Sequence, residues 1–104
     1  MLEVTAQPRR PERVLIRNTS GGPVDLYGYA LAIRGSMFPF GEDSVLGPGE
    51  TMTVSMQGSR AEDSRLDKHL GADRYELPDR GGWVRVSAFN GVSLACDAWG
   101  SGSC

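Results

Sequence analysis

Apolar and polar residues trade places over runs of five or six positions, and turn residues then stop each run. RVLIR (13–17) sets Val14 and Ile16 against Arg13, Leu15 and Arg17, and TMTVSM (51–56) sets Met52, Val54 and Met56 against Thr51, Thr53 and Ser55. A period of two puts each set on its own face of a strand, so both runs predict β-strands with Val14, Ile16 and the second apolar set turned inward. The stops are explicit: 14 glycines and 6 prolines fall within 104 residues. That density separates short strands and leaves little room for helices.

The other segments follow the same rhythm. LEVTA (2–6) reads as a short first strand, broken by the prolines of QPRRPER (7–13). NTSGGP (18–23) supplies turn chemistry, and VDLYGYALAI (24–33) continues with Leu26, Leu31 and Ile33 as apolar anchors. Within this corner Asn18, Pro23, Asp25 and Gly28 define the turn, Gly28 supplying a backbone angle or bulge that a Cβ would resist. MFPF (37–40) is short, and its Pro39 belongs on an edge or at a bulge. SRAEDSRLDKHL (59–70) lacks alternation and is densely charged, with Leu66 and Leu70 four apart. It is expected to be a long loop with one or two helical turns, ended at Gly71.

GGWVRVSAFNGVSLACDAWG (81–100) is a hairpin with two competing registers. A two-residue Asn90-Gly91 turn sets Val84, Val86 and Ala88 opposite Asp97, Ala95 and Ser93. A three-residue loop, Phe89 to Gly91, pairs 88 with 92, 86 with 94 and 84 with 96. Val84, Val86, Ala88, Val92, Leu94 and Cys96 then share one face, and that burial pattern favours the second register. It also turns Trp83 and Trp99, with Arg85, to the opposite face as a candidate binding surface. At least six short strands and no long helix make an antiparallel β-sandwich, one domain around one core.

A net charge of −2 lacks the basic surplus expected of a dedicated nucleic-acid binder. No run approaches the roughly 20 apolar residues of a membrane-spanning helix, so no membrane insertion is expected. MLEVTAQPRRPER does not read as a secretion signal, and an exported parent would carry its targeting segment outside these residues.

Three stretches, VLIRNTSGGPVDLYGYAL, MFPFGEDSVLGPGETMTVSM and GGWVRVSAFNGVSLACDAWG, resemble the lamin tail domain. In that family a strand ends in Asn-Thr, a proline turn leads to Val-Asp-Leu-Ser-Gly-Trp, and Phe-Pro and Leu-x-Pro-Gly elements precede a final hairpin. The similarity covers roughly residues 13–100 and is strongest at Asn18-Thr19, Pro23 to Leu26 and Gly28. Tyr27 stands where the family often has Ser, and Tyr29 where it usually has Trp. The resemblance implies an immunoglobulin-like sandwich spanning 13–100, with a strand and Pro/Arg loop before it (1–12) and a Gly/Ser tail after it (101–104). It further implies a module with no family-wide catalytic residues. In lamins that module is a protein-contacting tail, and in bacteria it is carried by secreted or surface proteins, hydrolases and nucleases among them.

Chemistry-bearing residues are few. His69 is the only histidine, and Asp67, Ser59 and Ser64 lie near it, but a triad needs a fixed base, orienting acid and oxyanion site that a loop does not supply. Two cysteines and one histidine lack zinc spacing, and Glu42-Asp43 and Glu62-Asp63 do not form a calcium loop. No catalytic residue, metal or cofactor is therefore expected. Arg9, Arg10, Arg13 and Arg17 form a candidate polyanion patch, or guard an edge strand by charge. Asn18-Thr19-Ser20 matches a glycosylation acceptor, read here as coincidence because Asn18 serves the turn.

Cys96 and Cys104 invite a disulfide that ties the tail to the last strand in an oxidising compartment. The favoured register turns Cys96 inward, so the tail must curl over the sandwich edge. Otherwise Cys96 is a buried thiol and Cys104 is free to bridge two chains. The expectation is a non-enzymatic interaction or tethering module of a larger bacterial extracellular or cell-surface protein. Its partner would be a protein or cell-surface component, and the chain itself a monomer or weak dimer. The alternative is an accessory domain that positions nucleic acid or another polyanion for an attached enzyme.

Overall fold

The computed structural model describes residues 2–8, 12–33, 36–56, 63–70, 77, 81–88 and 90–104. In chain order its strands are β1 (Leu2–Gln7), β2 (Arg13–Asn18), β3 (Val24–Asp25), β4 (Tyr29–Ile33), β5 (Ser36–Pro39), β6 (Val45–Leu46), β7 (Thr51–Ser55), β8 (Asp67–His69), β9 (Gly81–Ala88) and β10 (Ser93–Gly100). They build a β-sandwich. One sheet runs β1-β2-β7-β8, the other β10-β9-β4-β5, and β3 pairs with β6 at one end. Alternation places the core as expected: Val14, Ile16, Met52 and Val54 of the first sheet meet Leu31, Ile33, Val84 and Val86 of the second, all at 1% exposure or less.

The corner at 18–23 is organised by one side chain. Asn18 is fully buried, and its Nδ2 donates to the carbonyls of Gly22 (2.8 Å) and Leu46 (2.9 Å). Its Oδ1 accepts from the Ser20 amide (2.9 Å) and hydroxyl (2.7 Å). Its own main chain binds Glu50 O (3.0 Å) and Gly49 N (2.8 Å). Every polar atom of Asn18 is thus satisfied, which is what permits a carboxamide at zero exposure. Two further turn residues then start β4. Asp25 Oδ1 accepts from the Tyr27 amide at 3.0 Å. The Tyr29 amide closes back on Leu26 O at 2.9 Å across Gly28, whose φ is +93°, the positive value a type II turn needs at its third position.

Two expectations are corrected. Residues 63–70 contain no helical turn, and Asp67–His69 instead form β8, parallel to β7 with Ser55 opposite His69; residues 59–62 and Gly71 lie outside the described residues. Thr53 N bonds Leu66 O and Leu70 N bonds Ser55 O. The main chain is drawn onto the open edge of β7, and Leu66 and Leu70 reach the core from either end of a strand.

The hairpin takes neither register throughout. Ala88 N bonds Val92 O and Ser93 opposes Ser87, as the three-residue loop requires. A bulge at Leu94 then shifts the ladder, so Ala95 opposes Val86, Cys96 opposes Arg85 and Asp97 opposes Val84. The inward set is therefore Ala95, Asp97 and Trp99. Val92 and Leu94 are 56% and 40% exposed, and Cys96 points outward with Arg85. One inserted residue reverses the two faces of everything beyond it.

Thermal melts test the corner. Asn18→Ala leaves buried carbonyls and a buried amide unpaired and should cost about 3 kcal/mol, a fall in Tm of more than about 12 °C. Gly28→Val meets no steric neighbour but must hold a positive φ, and should cost about 1–3 kcal/mol.

Candidate functional site

The two sides of the sandwich differ. On one side the edge strands β1 and β10 lie against each other, and Asp97, turned inward by the bulge, accepts the Ala6 amide at 2.7 Å. That carboxylate caps an edge N–H that β2 does not use, and it joins the two sheets. Trp99 packs against the core beside it. The opposite side is bounded by edge strands β5 and β8, and there the sheets part into a cleft of about 310 Å³.

The cleft has an apolar floor and a charged rim. Leu31 and Val54 lie at its base, with Phe38, Phe40 and Leu70 on its walls. Glu42 and Asp43 stand on one lip, and Asp63, Lys68 and His69 on the other. Lys68 Nζ crosses to the main-chain oxygen of Asp43 at 2.5 Å. Asp63 Oδ1 accepts both the His69 amide (2.7 Å) and a contact from His69 Nδ1 (3.0 Å). Apolar walls with a few polar groups converging at the mouth are the usual make-up of a binding pocket.

The lip carrying Glu42 and Asp43 is braced from behind. Arg65 grips Glu50 with both nitrogens (2.6 and 2.8 Å) and also donates to Val45 O at 2.9 Å. The Gly47 amide donates to the same Glu50 carboxylate at 2.6 Å. The Arg65 hydrogen bond, and then that of Gly47, hold the Glu50 carboxyl at about 2, well below its ordinary value. Arg65 is correspondingly pushed up by Glu50. Leu26 N also binds Ser44 O at 3.0 Å, so the lip is tied to the corner that Asn18 builds. Ser44 itself is buried, and its hydroxyl meets no partner among the described residues.

The residues singled out by sequence fall in separate places. The acid beside His69 is Asp63, not Asp67, and among the described residues no hydroxyl or thiol bonds the ring; Ser59 lies outside them. No cluster of three metal-ligating groups occurs among the described residues. Arg13 and Arg17 lie on the outer face of the first sheet, where Arg13 Nε donates to Gln7 at 2.6 Å and Arg17 opposes Glu3. Arg9 and Arg10 lie outside the described residues. Trp83 keeps its outward place with Arg85 stacked 4.5 Å above its ring, but Trp99 is on the other face, a consequence of the bulge. Asn18 cannot serve as a glycan acceptor in the fold, since its buried nitrogen is spent on two carbonyls.

Cys96 and Cys104 stand at disulfide distance, their Cα atoms 6.1 Å apart. The link lies on the outer face of β10 because the bulge turns Cys96 outward. The tail reaches it by folding back at Gly100, with Gly102 N on Trp99 O at 3.0 Å. A Cβ on Gly102 would strike the Gly82 backbone, and one on Gly81 would strike Ser101. The glycines at 81 and 102 are thus what lets tail and strand approach so closely.

Asp97, Glu50 and Glu12 were not singled out by sequence, and Asp63 only as half of an acidic pair weighed for calcium. Glu12 is buried and accepts the Leu77 amide, while its own carbonyl binds Met56 N at 3.2 Å. Their roles depend on partners 6 to 91 residues distant, and residue type alone carries no signal of that.

Reduction, or Cys104→Ser, should lower stability by about 2–3 kcal/mol for so short a loop, and mass spectrometry should show a gain of two hydrogen atoms when a thiol reductant opens the bond. The Glu50 link adds a pH signature. Its carboxyl is depressed, so its contribution is complete above the ordinary value of 4.5 and disappears as pH falls towards about 2. Chemical denaturation across that range should show wild type losing stability more steeply than Glu50→Gln.

No family model and no curated protein matches the sequence.

Proposed function

We propose that the chain is a non-enzymatic interaction module of a larger, exported or surface-associated protein, and that it holds a partner's extended segment in the β5/β8 cleft. The observation that carries this reading is the cleft itself: an apolar base between two edge strands, with charged groups gathered at its mouth. Edge strands offer main-chain groups to an added segment, and side-chain pockets beside them select its residues. The cysteine pair suits an oxidising compartment, and the lamin-tail resemblance points to the same class of protein-contacting module. A polyanion-binding role draws less support, because Arg13 is engaged by Gln7 and Arg17 faces Glu3.

Gly41 provides a clean test. It lines the cleft, and a Cβ there meets nothing within 4 Å, so Gly41→Trp should plug the site without disturbing the fold. Display of random peptides against the chain should enrich binders that Gly41→Trp abolishes at unchanged Tm. Failure to enrich any binder, or binders indifferent to the plug, would refute the proposal. Retention on heparin at physiological salt, lost steeply as salt rises, would favour the polyanion role instead.

A further inference from the structure

We infer that the cleft selects a cationic side chain, a lysine or arginine carried by the partner's segment; this rests on the cleft being the binding surface. Among the described residues its rim holds three carboxylates, Glu42, Asp43 and Asp63, against one ammonium, Lys68. These charges are not equivalent. Lys68 is already committed to the Asp43 carbonyl, and Asp63 Oδ1 serves the main chain and ring of His69. The Glu42 and Asp43 side chains are exposed; Asp43 lies within the electrostatic reach of Arg65, whose guanidinium is itself held by Glu50.

Two exposed carboxylates above an apolar cleft ask for a particular occupant. The stem of a lysine or arginine can lie along the Phe38 and Phe40 walls while its charged head stays at the rim. A head held near those rings is also drawn to their faces. A segment without a cation would crowd the two carboxylates and strip their water with nothing in return, and an acidic one would be repelled. The volume of about 310 Å³ lies at the small end of ligand pockets, roughly 300–1,000 Å³. That is room for a long side chain and its flanks.

The test uses short blocked peptides with a Leu-Xaa-Leu centre in an alanine background, Xaa being Arg, Gln or Glu. Each is titrated into the isotopically labelled chain and followed by NMR. The Arg peptide should shift the amides of Phe40, Asp43 and His69 and bind at least ~10-fold tighter than the Gln peptide, a difference of about 1.4 kcal/mol. The Glu peptide should not bind. Raising salt from about 50 to about 500 mM should shrink the preference, and a combined Glu42→Gln, Asp43→Asn variant should erase it at unchanged Tm. Equal binding of Arg and Gln peptides at the cleft, or a preference that survives the double variant, would overturn the inference and leave the cleft as a binding surface. If no peptide moves the cleft amides, both readings fall.

Discussion

A carboxamide at zero exposure holds the end of this sandwich together. Asn18 sits where β2 finishes, and its six polar contacts reach the 20–22 turn, the β6 strand and the 49–50 turn that begins β7. Those segments come from three separate stretches of chain. A buried amide with all of its bonds made specifies geometry sharply, because any shift of one partner orphans another. From this corner the chain leaves the first sheet, passes the Asp25 and Gly28 turn, and enters the second at β4. The lip of the cleft is joined to the same corner through Leu26 and Ser44, so its position is inherited from Asn18.

The second constraint is the asymmetry of the two sides. Edge strands are liabilities unless something covers or occupies them. At the β1/β10 side Asp97 takes an edge amide, Trp99 fills the seam, and the disulfide pins the tail across β9 and β10. At the β5/β8 side Pro39 removes one donor from the edge of β5, and the short β8 covers β7. The space left between them is lined rather than filled. The β1/β10 side keeps a hollow of its own, about 270 Å³ between Leu2, Val24, Tyr29 and Leu94, but its described lining is uncharged. The described lining of the β5/β8 cleft carries charged groups at its mouth, and this connects the packing to the proposed interaction.

The strands and the core were legible in the sequence because a period of two is a strong signal wherever one face is buried. Val14, Ile16, Met52 and Val54 were identified by that rule alone, and the turn roles of Asn18 and Gly28 by their turn chemistry. The hairpin beyond Leu94 was not legible. A single bulge costs one residue and leaves no mark in the alternation, and its effect was to exchange Cys96 and Leu94 for Asp97 and Trp99 on the inner face. β8 escaped for a different reason: its alternation is too short to see, and it forms by pairing with β7. The candidate site was the least legible part. Phe38, Phe40, Asp43, Asp63 and Lys68 belong to different segments, and only the closure of two sheets brings them to one cleft.

Hydrogen exchange of the Asn18 side chain tests this dependence most directly. If the corner is the point on which the sandwich closes, its two Nδ2 protons should exchange as slowly as the core amides of Ile16 and Met52, opening only with global unfolding. Exchange of those protons at the rate of an exposed turn, while Ile16 and Met52 stay protected, would contradict it.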